Sequence, residues 1–212
     1  MFRNREDAAR RLALLFLGRK FHNPLVLAIP RGGVVTGAVL AQELGAELDV
    51  VLARKLAPPW QPECAMGAVS EDGRIILAPH ARESLGVSEG DLMTVWKREM
   101  AVIEQRKQRI RAVRPEVPVA GRSVIVTDDG VATGATMIAA LQVVRAKGPR
   151  EVIVAVPVGS PDRLDQVRQY CDELVCLIQS REFLAVGQFY ADFSPVEDEQ
   201  VLDLLAQAVP AA

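Results

Sequence analysis

Val124-Ile125-Val126-Thr127-Asp128-Asp129-Gly130-Val131-Ala132-Thr133-Gly134-Ala135-Thr136 is the stretch that decides how this chain is read. It opens with an apolar run short enough for a fully buried strand, set off by Gly121 before it and Gly130 after it. Two adjacent carboxylates stand where that strand ends, and a loop of small residues follows. The loop leads into a helical pattern with Met137, Ile138, Leu141 and Val144 on one face. Loop amides and a helix N-terminus can hold a phosphate, while paired carboxylates can take hydroxyl groups or a hard cation. Strand, acidic pair and small-residue loop, in that order, predict a site for a phosphorylated sugar.

Working outward, residues 25–29 are the first buried-strand candidate and run directly into Pro30-Arg31-Gly32-Gly33. Residues 34–44 look helical and stop at Gly45. This is a second strand–loop–helix unit with its own anion-binding loop: Gly32 and Gly33 let the backbone approach a ligand, and Arg31 adds fixed positive charge. Residues 49–53 read as a second strand ending in Arg54-Lys55. A basic pair at the carboxyl end of a parallel strand would face the ligand edge of an open sheet. Further strands are expected over 151–156 and 173–178, with a helix over 161–170 between them. Buried strands alternating with helices predict an α/β, doubly wound, mainly parallel sheet with a Rossmann-like core. The simplest organisation is one domain over 1–212, with a lid over about 57–115 and a hood over about 179–212.

The flanking segments fill in this outline. Residues 4–19 read as a helix capped by Asn4, with Ala8, Leu12, Leu15 and Phe16 sharing a face. Residues 57–91 are punctuated by Pro58-Pro59, Pro62, Gly67, Pro79 and Gly86. Within them Glu71-Asp72-Gly73 separates Ala68-Val69 from Ile75-Ile76-Leu77, a hairpin signal. Ser88-Glu89-Gly90-Asp91 has the form of a capping box. It begins a long helix with Leu92, Val95, Trp96, Val102, Ile103 and Ile110 along its apolar stripe. The basic end of that helix, Arg106, Lys107, Arg109, Arg111 and Arg114, suits the helix dipole and reads as a solvated face. Without interleaved aromatic residues it gives no reason to expect nucleic acid. A short helix is expected around 201–208.

Composition narrows the class. Half of the 212 residues are hydrophobic, a quarter are charged and the formal net charge is -2. This is ordinary for a soluble globular protein and gives no reason to expect nucleic acid or an anionic membrane. No apolar run approaches the ~20 residues that span a bilayer, and 12–17 is too short and too soon interrupted for a signal peptide. Cys64, Cys171 and Cys176 lack zinc spacing and fit free thiols in a reducing cytosol.

The central stretch resembles the signature of the type I phosphoribosyltransferases: an apolar strand, two acidic residues, three variable positions, then Thr-Gly-x-Thr. The resemblance extends over about 25–178. It implies transfer of the 5-phosphoribosyl group from phosphoribosyl pyrophosphate to a nitrogen acceptor, a nucleobase first among them, with Mg2+ and release of pyrophosphate. By the same resemblance Ala132, Thr133, Gly134, Ala135 and Thr136 would hold the 5-phosphate. Asp128 and Asp129 would bind the ribose hydroxyls and favour a cationic transition state. Arg31, Gly32, Gly33 and Arg54 would bind pyrophosphate, and Lys55 would act with them in catalysis. Residues 57–91 stand in the place of the mobile loop that closes over substrate in that family. Residues 183–193 resemble the hood of purine phosphoribosyltransferases, making Phe183 a base stacker and Asp192, with Asp129, a metal contact. The Gly187 to Asp192 spacing is one residue longer than in that family.

Two departures bear on the acceptor. Enzymes for 6-oxopurines carry Asp where this chain has Ala132, and Lys in the region corresponding to Val156-Pro157-Val158-Gly159. Adenine and uracil enzymes tolerate Ala at the first position. The resemblance thus identifies the donor, leaves the acceptor open, and is compatible with a homo-oligomer in cytoplasmic nucleotide metabolism. The alternatives are a sensor or regulator that binds phosphoribosyl pyrophosphate without turnover, and an α/β protein for another phosphorylated metabolite.

Overall fold

The computed structural model describes residues 1–61, 66–77 and 85–208; Pro62, Cys64 and Pro79 lie outside the described residues. In chain order the first elements are helix α1 (Arg5–Ala13), strand β1 (Leu25–Ala28), helix α2 (Gly32–Leu44) and strand β2 (Glu47–Val50). Strands β3 (Ala53–Leu56), β4 (Gly67–Ser70) and β5 (Ile75–Leu77) follow, then the long helix α3 (Glu89–Val113). The second half runs through β6 (Ser123–Thr127), α4 (Ala135–Ala146), β7 (Glu151–Gly159), α5 (Pro161–Arg168) and β8 (Glu173–Gln179) to α6 (Asp198–Gln207).

The central sheet has the order β2-β1-β6-β7-β8, with every neighbouring pair parallel. Successive strand residues face opposite ways, so each apolar run supplies two cores. Leu25, Leu27, Val124, Val126, Val152 and Val154 pack with Met137, Leu141 and Val144 of α4. Val26, Ala28, Ile125 and Ile153 pack on the other face with Leu12 of α1 and Val35 and Leu40 of α2. Helices therefore cover both faces, as unbroken apolar strands require. The chain leaves β1 for β2 in one direction and runs from β6 through β7 to β8 in the other. Strand order reverses between β1 and β6, and the crevice at their carboxyl ends is where ligands bind in open α/β sheets.

One expectation is corrected here. The predicted strand over 49–53, with Arg54-Lys55 beyond its end, is two strands in two layers: β2 ends at Val50, and Arg54-Lys55 lies inside β3. β3, β4 and β5 form a separate antiparallel sheet. The buried residues Val51 and Leu52 carry the chain between the layers, and the Val51 amide still donates to the Ala28 carbonyl at 3.0 Å. An apolar run that continues across a layer change offers no periodicity to mark the break. Arg54 pairs with Val69 and so faces α3, whereas Lys55 pairs with Ala68 and faces α4.

The expected hairpin forms between β4 and β5, with Gly73 at φ +82°. Its turn is tied to α3. Trp96 Nε1 donates to the Gly73 carbonyl at 2.9 Å, Lys107 Nζ donates to the Glu71 carbonyl at 3.1 Å, and Arg111 grips both Glu71 carboxylate oxygens at 2.9 and 3.0 Å. Arg111 also binds Asp49 at 2.7 Å. Asp49 is 1% exposed and accepts from the Val50 and Val117 amides as well. The basic end of α3 is therefore not a solvated face: Arg109 pairs with Asp198 and Glu199, and Arg114 donates to the Leu48 carbonyl. Buried Asp49 and Glu71 draw Arg111 inward, whereas Lys107 and Arg114 answer carbonyls and Arg109 pairs with exposed carboxylates, partners that helix periodicity alone does not show.

Local signals near the ends fared unevenly. The Ser88–Asp91 capping box is present, and Asn4 caps α1 by accepting from the Asp7 amide at 3.0 Å. The first helix ends at Ala13, short of residue 19, and Leu14–Phe16 form a tighter 3-10 turn. That change of pitch rotates Leu15 out to solvent, while Phe16 stays in the core. Cys171 and Cys176 are free thiols, and burial pushes Cys176 up to about 11. Among the described residues no helix is long and apolar enough to cross a membrane.

Removing Arg111 strands two buried carboxylates. Arg111→Ala should cost about 3 kcal/mol or more in urea unfolding, and adding Asp49→Asn should recover part of that loss. Equal stability of Arg111→Ala and the unmutated chain would contradict this account.

Candidate active site

The two loops at the strand-order reversal touch. The Ile29 amide donates to the Thr127 carbonyl at 3.0 Å, keeping β1 and β6 paired to their ends. Thr127 is buried and its hydroxyl donates to the Ala155 carbonyl at 2.6 Å. The Pro30–Arg31 peptide is cis, and α2 starts immediately at Gly32. A Cβ at Gly32 would lie 1.9 Å from Asp129 Oδ2, and one at Gly33 would lie 2.9 Å from both Asp128 Cα and Oδ1. Only residues without a side chain allow this approach. The candidate pyrophosphate loop is thus packed on the acidic pair.

Beyond the pair, the Asp129 amide donates to Asp128 Oδ1 at 2.8 Å, and the Val131 amide donates to the Val158 carbonyl at 2.8 Å. Gly134, at φ +79°, is the N-cap of α4. Ala132, Thr133 and Thr136 are exposed around that helix start, and Ala135 is half-buried. The Ala135 amide donates to the Thr133 hydroxyl at 3.4 Å, and the amides and two hydroxyls at the N-terminus of this twelve-residue helix are the kind of groups that can hold an anion.

Beside it opens a cleft of about 270 Å³, bordered by Pro30, Arg54, Lys55, Arg106 and Thr136 over a floor that includes Ile29, Val51 and Leu52. Arg54 Nε is held by Glu99 at 2.8 Å. Arg31 turns elsewhere, with Nη1 3.8 Å from Glu197 and 3.7 Å from Asp198 at the start of α6. Phe183 is half-buried and packs on Phe189, with ring centroids 5.4 Å apart, within a cluster containing Phe2, Tyr190 and Phe193. Val186 from the same segment covers Gly130, where an added Cβ would come within 2.7 Å of it. Asp192 is exposed, and its Oδ1 accepts from the Ser194 amide at 3.0 Å and the Ser194 hydroxyl at 2.6 Å.

Sequence reasoning missed Arg5 and Tyr190. Arg5 Nε donates to Asp129 Oδ2 at 2.8 Å, its Nη1 donates to the Ser194 carbonyl at 2.9 Å, and its guanidinium lies 3.9 Å from the centre of the Phe193 ring. The Tyr190 hydroxyl donates to the Asp129 carbonyl at 2.6 Å. An isolated bridge between Phe2 and Tyr190 makes this arrangement: the Phe2 amide donates to the Phe189 carbonyl, and the Ala191 amide donates back to the Phe2 carbonyl. One local hint existed, since a cation in the first turn of a helix opposes its dipole and needs another partner.

Burial and then the neighbouring Asp129 charge push the Asp128 carboxyl well above the usual carboxylate range, with Arg5 pulling the other way. A carboxyl raised on folding binds its proton more tightly in the folded state, so the stability it contributes is present at low pH and lost as pH rises through the folded value. Asp128→Asn should therefore raise the melting temperature by a few degrees at neutral pH, with the gain shrinking toward the ordinary carboxylate range. A gain that grows on acidification would contradict the assignment.

The phosphoribosyl transferase domain family matches residues 2–194. TT1426 from Thermus thermophilus, known as a crystal structure, superposes with a TM-score of 0.93 at 43% identity, over 98% of each chain. The AQ2163 protein from Aquifex aeolicus, at 12% identity and a TM-score of 0.50 over 97% of this chain and 85% of its own, shares the fold alone. A Mycobacterium tuberculosis protein provisionally named a phosphoribosyl transferase is 38% identical over 208 residues, which is 98% of this chain and 47% of that protein. The chain spans about half the length of the curated relatives it matches. With a match that takes in both loops, both carboxylates and the chain as far as residue 194, the chain belongs to the phosphoribosyl transferase domain family.

Proposed function

We propose that this chain transfers the 5-phosphoribosyl group of phosphoribosyl pyrophosphate to a nitrogen acceptor, releasing pyrophosphate. The observation that carries the reading is the packing of Gly32 and Gly33 on Asp129 and Asp128, which sets a diphosphate loop beside a hydroxyl-binding pair. The loop of residues 132–136 would hold the 5-phosphate. Asp128 and Asp129 would accept hydrogen bonds from the ribose hydroxyls. The bond from the anomeric carbon to pyrophosphate breaks, the bond to the acceptor nitrogen forms, and the acceptor's proton leaves. Positive charge gathers on the sugar as the leaving group departs, and two carboxylates stabilise that state more than the neutral ground state. Burial holds Asp128 toward its protonated form, and a cation bound beside it would favour the ionised form.

The donor set fits Mg2+, which takes one or two carboxylates together with substrate phosphates and water. When bound, it would neutralise charge on the pyrophosphate. Asp129 is the carboxylate we assign to it: Arg5 holds Oδ2 at 2.8 Å, so the ion would share this carboxylate with the guanidinium. The Asp192 carboxylate is committed at Oδ1 to Ser194, so the contact expected there is the weaker half of the pair. Arg54 and Lys55 at the cleft would steady the departing pyrophosphate. For the acceptor, Ala132 and the absence of Lys from residues 156–159 speak against 6-oxopurines, while Phe183 and Val186 leave an apolar hood for another nucleobase. A cytoplasmic place in nucleotide metabolism would follow from that chemistry.

Phosphoribosyl pyrophosphate with Mg2+ should raise the melting temperature, and the double variant Asp128→Asn with Asp129→Asn should abolish the rise. Pyrophosphate release should then appear with at least one nucleobase in a panel of nitrogen acceptors. Binding without release across a wide panel would point to a sensor, and no binding at all would end the phosphoribosyl reading.

A further inference from the structure

The buried stripe of α3 runs through Leu92, Val95, Glu99, Ile103 and Ile110. Helical spacing puts Arg106 on the same stripe, three residues after Ile103 and four before Ile110. Two charges therefore interrupt an otherwise apolar face. They stand seven residues apart, too far along the helix to answer one another. Glu99 is answered by Arg54 at 2.8 Å and by Arg98 at 2.8 Å. Arg106 is not answered: among the described residues it has no hydrogen bond, ion pair or ring contact.

Its basic neighbours differ in this respect. Lys107 is held by the Glu71 carbonyl, Arg109 by Asp198 and Glu199, Arg111 by Asp49 and Glu71, and Arg114 by the Leu48 carbonyl. Arg106 alone among these five is left half-buried without an acceptor. Its stem is half-covered, but its guanidinium nitrogens are not buried, so they reach solvent and stay open to a ligand anion.

The position of Arg106 says which anion. It borders the 270 Å³ cleft with Pro30, which begins the glycine loop, and with Arg54, Lys55 and Thr136. The 5-phosphate already has the α4 N-terminus and the loop hydroxyls, whereas the diphosphate end needs cations. Arg54 is tied to Glu99, and Arg31 leans toward Glu197 and Asp198. We propose that Arg106 is a substrate-binding residue, reaching from α3 across the cleft to place its planar fork on the pyrophosphate oxygens of the donor. The inference rests on the phosphoribosyl reading above and adds a residue from outside its sequence motifs. A planar five-donor fork suits two phosphate oxygens at once, which a lysine ammonium does not.

Titration of the intact protein with Mg2+-pyrophosphate, phosphoribosyl pyrophosphate and ribose 5-phosphate tests this. Arg106→Ala should weaken binding of pyrophosphate and phosphoribosyl pyrophosphate by about tenfold or more, and leave ribose 5-phosphate binding unchanged. Arg106→Lys should recover part of the loss. Having no partner to lose, Arg106→Ala should melt at the temperature of the unmutated chain. Undiminished pyrophosphate binding by Arg106→Ala would overturn the inference while leaving the phosphoribosyl reading intact. An equal loss of ribose 5-phosphate binding would also overturn it, in favour of a structural role. If the unmutated protein binds none of the three, the reading and the inference fall together.

Discussion

A side chain cannot fit between the loop after β1 and the loop after β6. With Gly32 and Gly33 lying directly on Asp129 and Asp128, the two strand ends come as close as backbone and carboxylate permit. Everything else at the crevice is arranged around that contact. The parallel pairing of β1 with β6 brings the loops level, and α2 begins within the contact itself. α4 then starts at Ala135, so its N-terminus follows the acidic pair closely along the chain. An alanine at Gly33 would meet the Asp128 backbone and push the loops apart, whereas one at Gly32 would displace the Asp129 carboxylate and Arg5.

The electrostatics of the crevice is poised rather than neutral. Asp129 already has a counter-ion in Arg5, whereas Asp128 is half-buried beside a like charge and holds its proton more tightly than an ordinary carboxyl. Across the cleft Arg54 and Arg31 sit near Glu99, Glu197 and Asp198. Acids and bases near the crevice are thus largely paired with protein groups, and a polyanion carrying a metal ion would exchange those pairings for others. Such exchange tempers affinity, because contacts with protein must be given up as contacts with ligand form.

The parallel core and the loops beside it were legible in the sequence because each depends on local pattern. Buried strands read as short apolar runs, Gly45 stops α2, and Ser88 with Asp91 starts α3. The run through Val50 and Val51 misled because hydrophobicity continues while the backbone changes sheets. The destination of the α3 cations was hidden as well, since the acids that claim them stand tens of residues away, as Asp49 does from Arg111. Arg5 was the hardest to find. Its partner is 124 residues further along, and only three-dimensional closure joins them.

That closure has a consequence for when the site comes into being. Phe2 hydrogen-bonds to Phe189 and Ala191, and Arg5 needs the Ser194 carbonyl and the Phe193 ring to hold its guanidinium against Asp129. A chain emerging from the ribosome can pair β1 with β6 once residue 127 is free, and domains generally fold as they appear. It cannot bring Arg5 to rest until residue 194 has followed. A nascent chain would therefore carry an unguarded acidic pair while the residues between Asp129 and Ser194 are made, with Arg5 settling on it only after them.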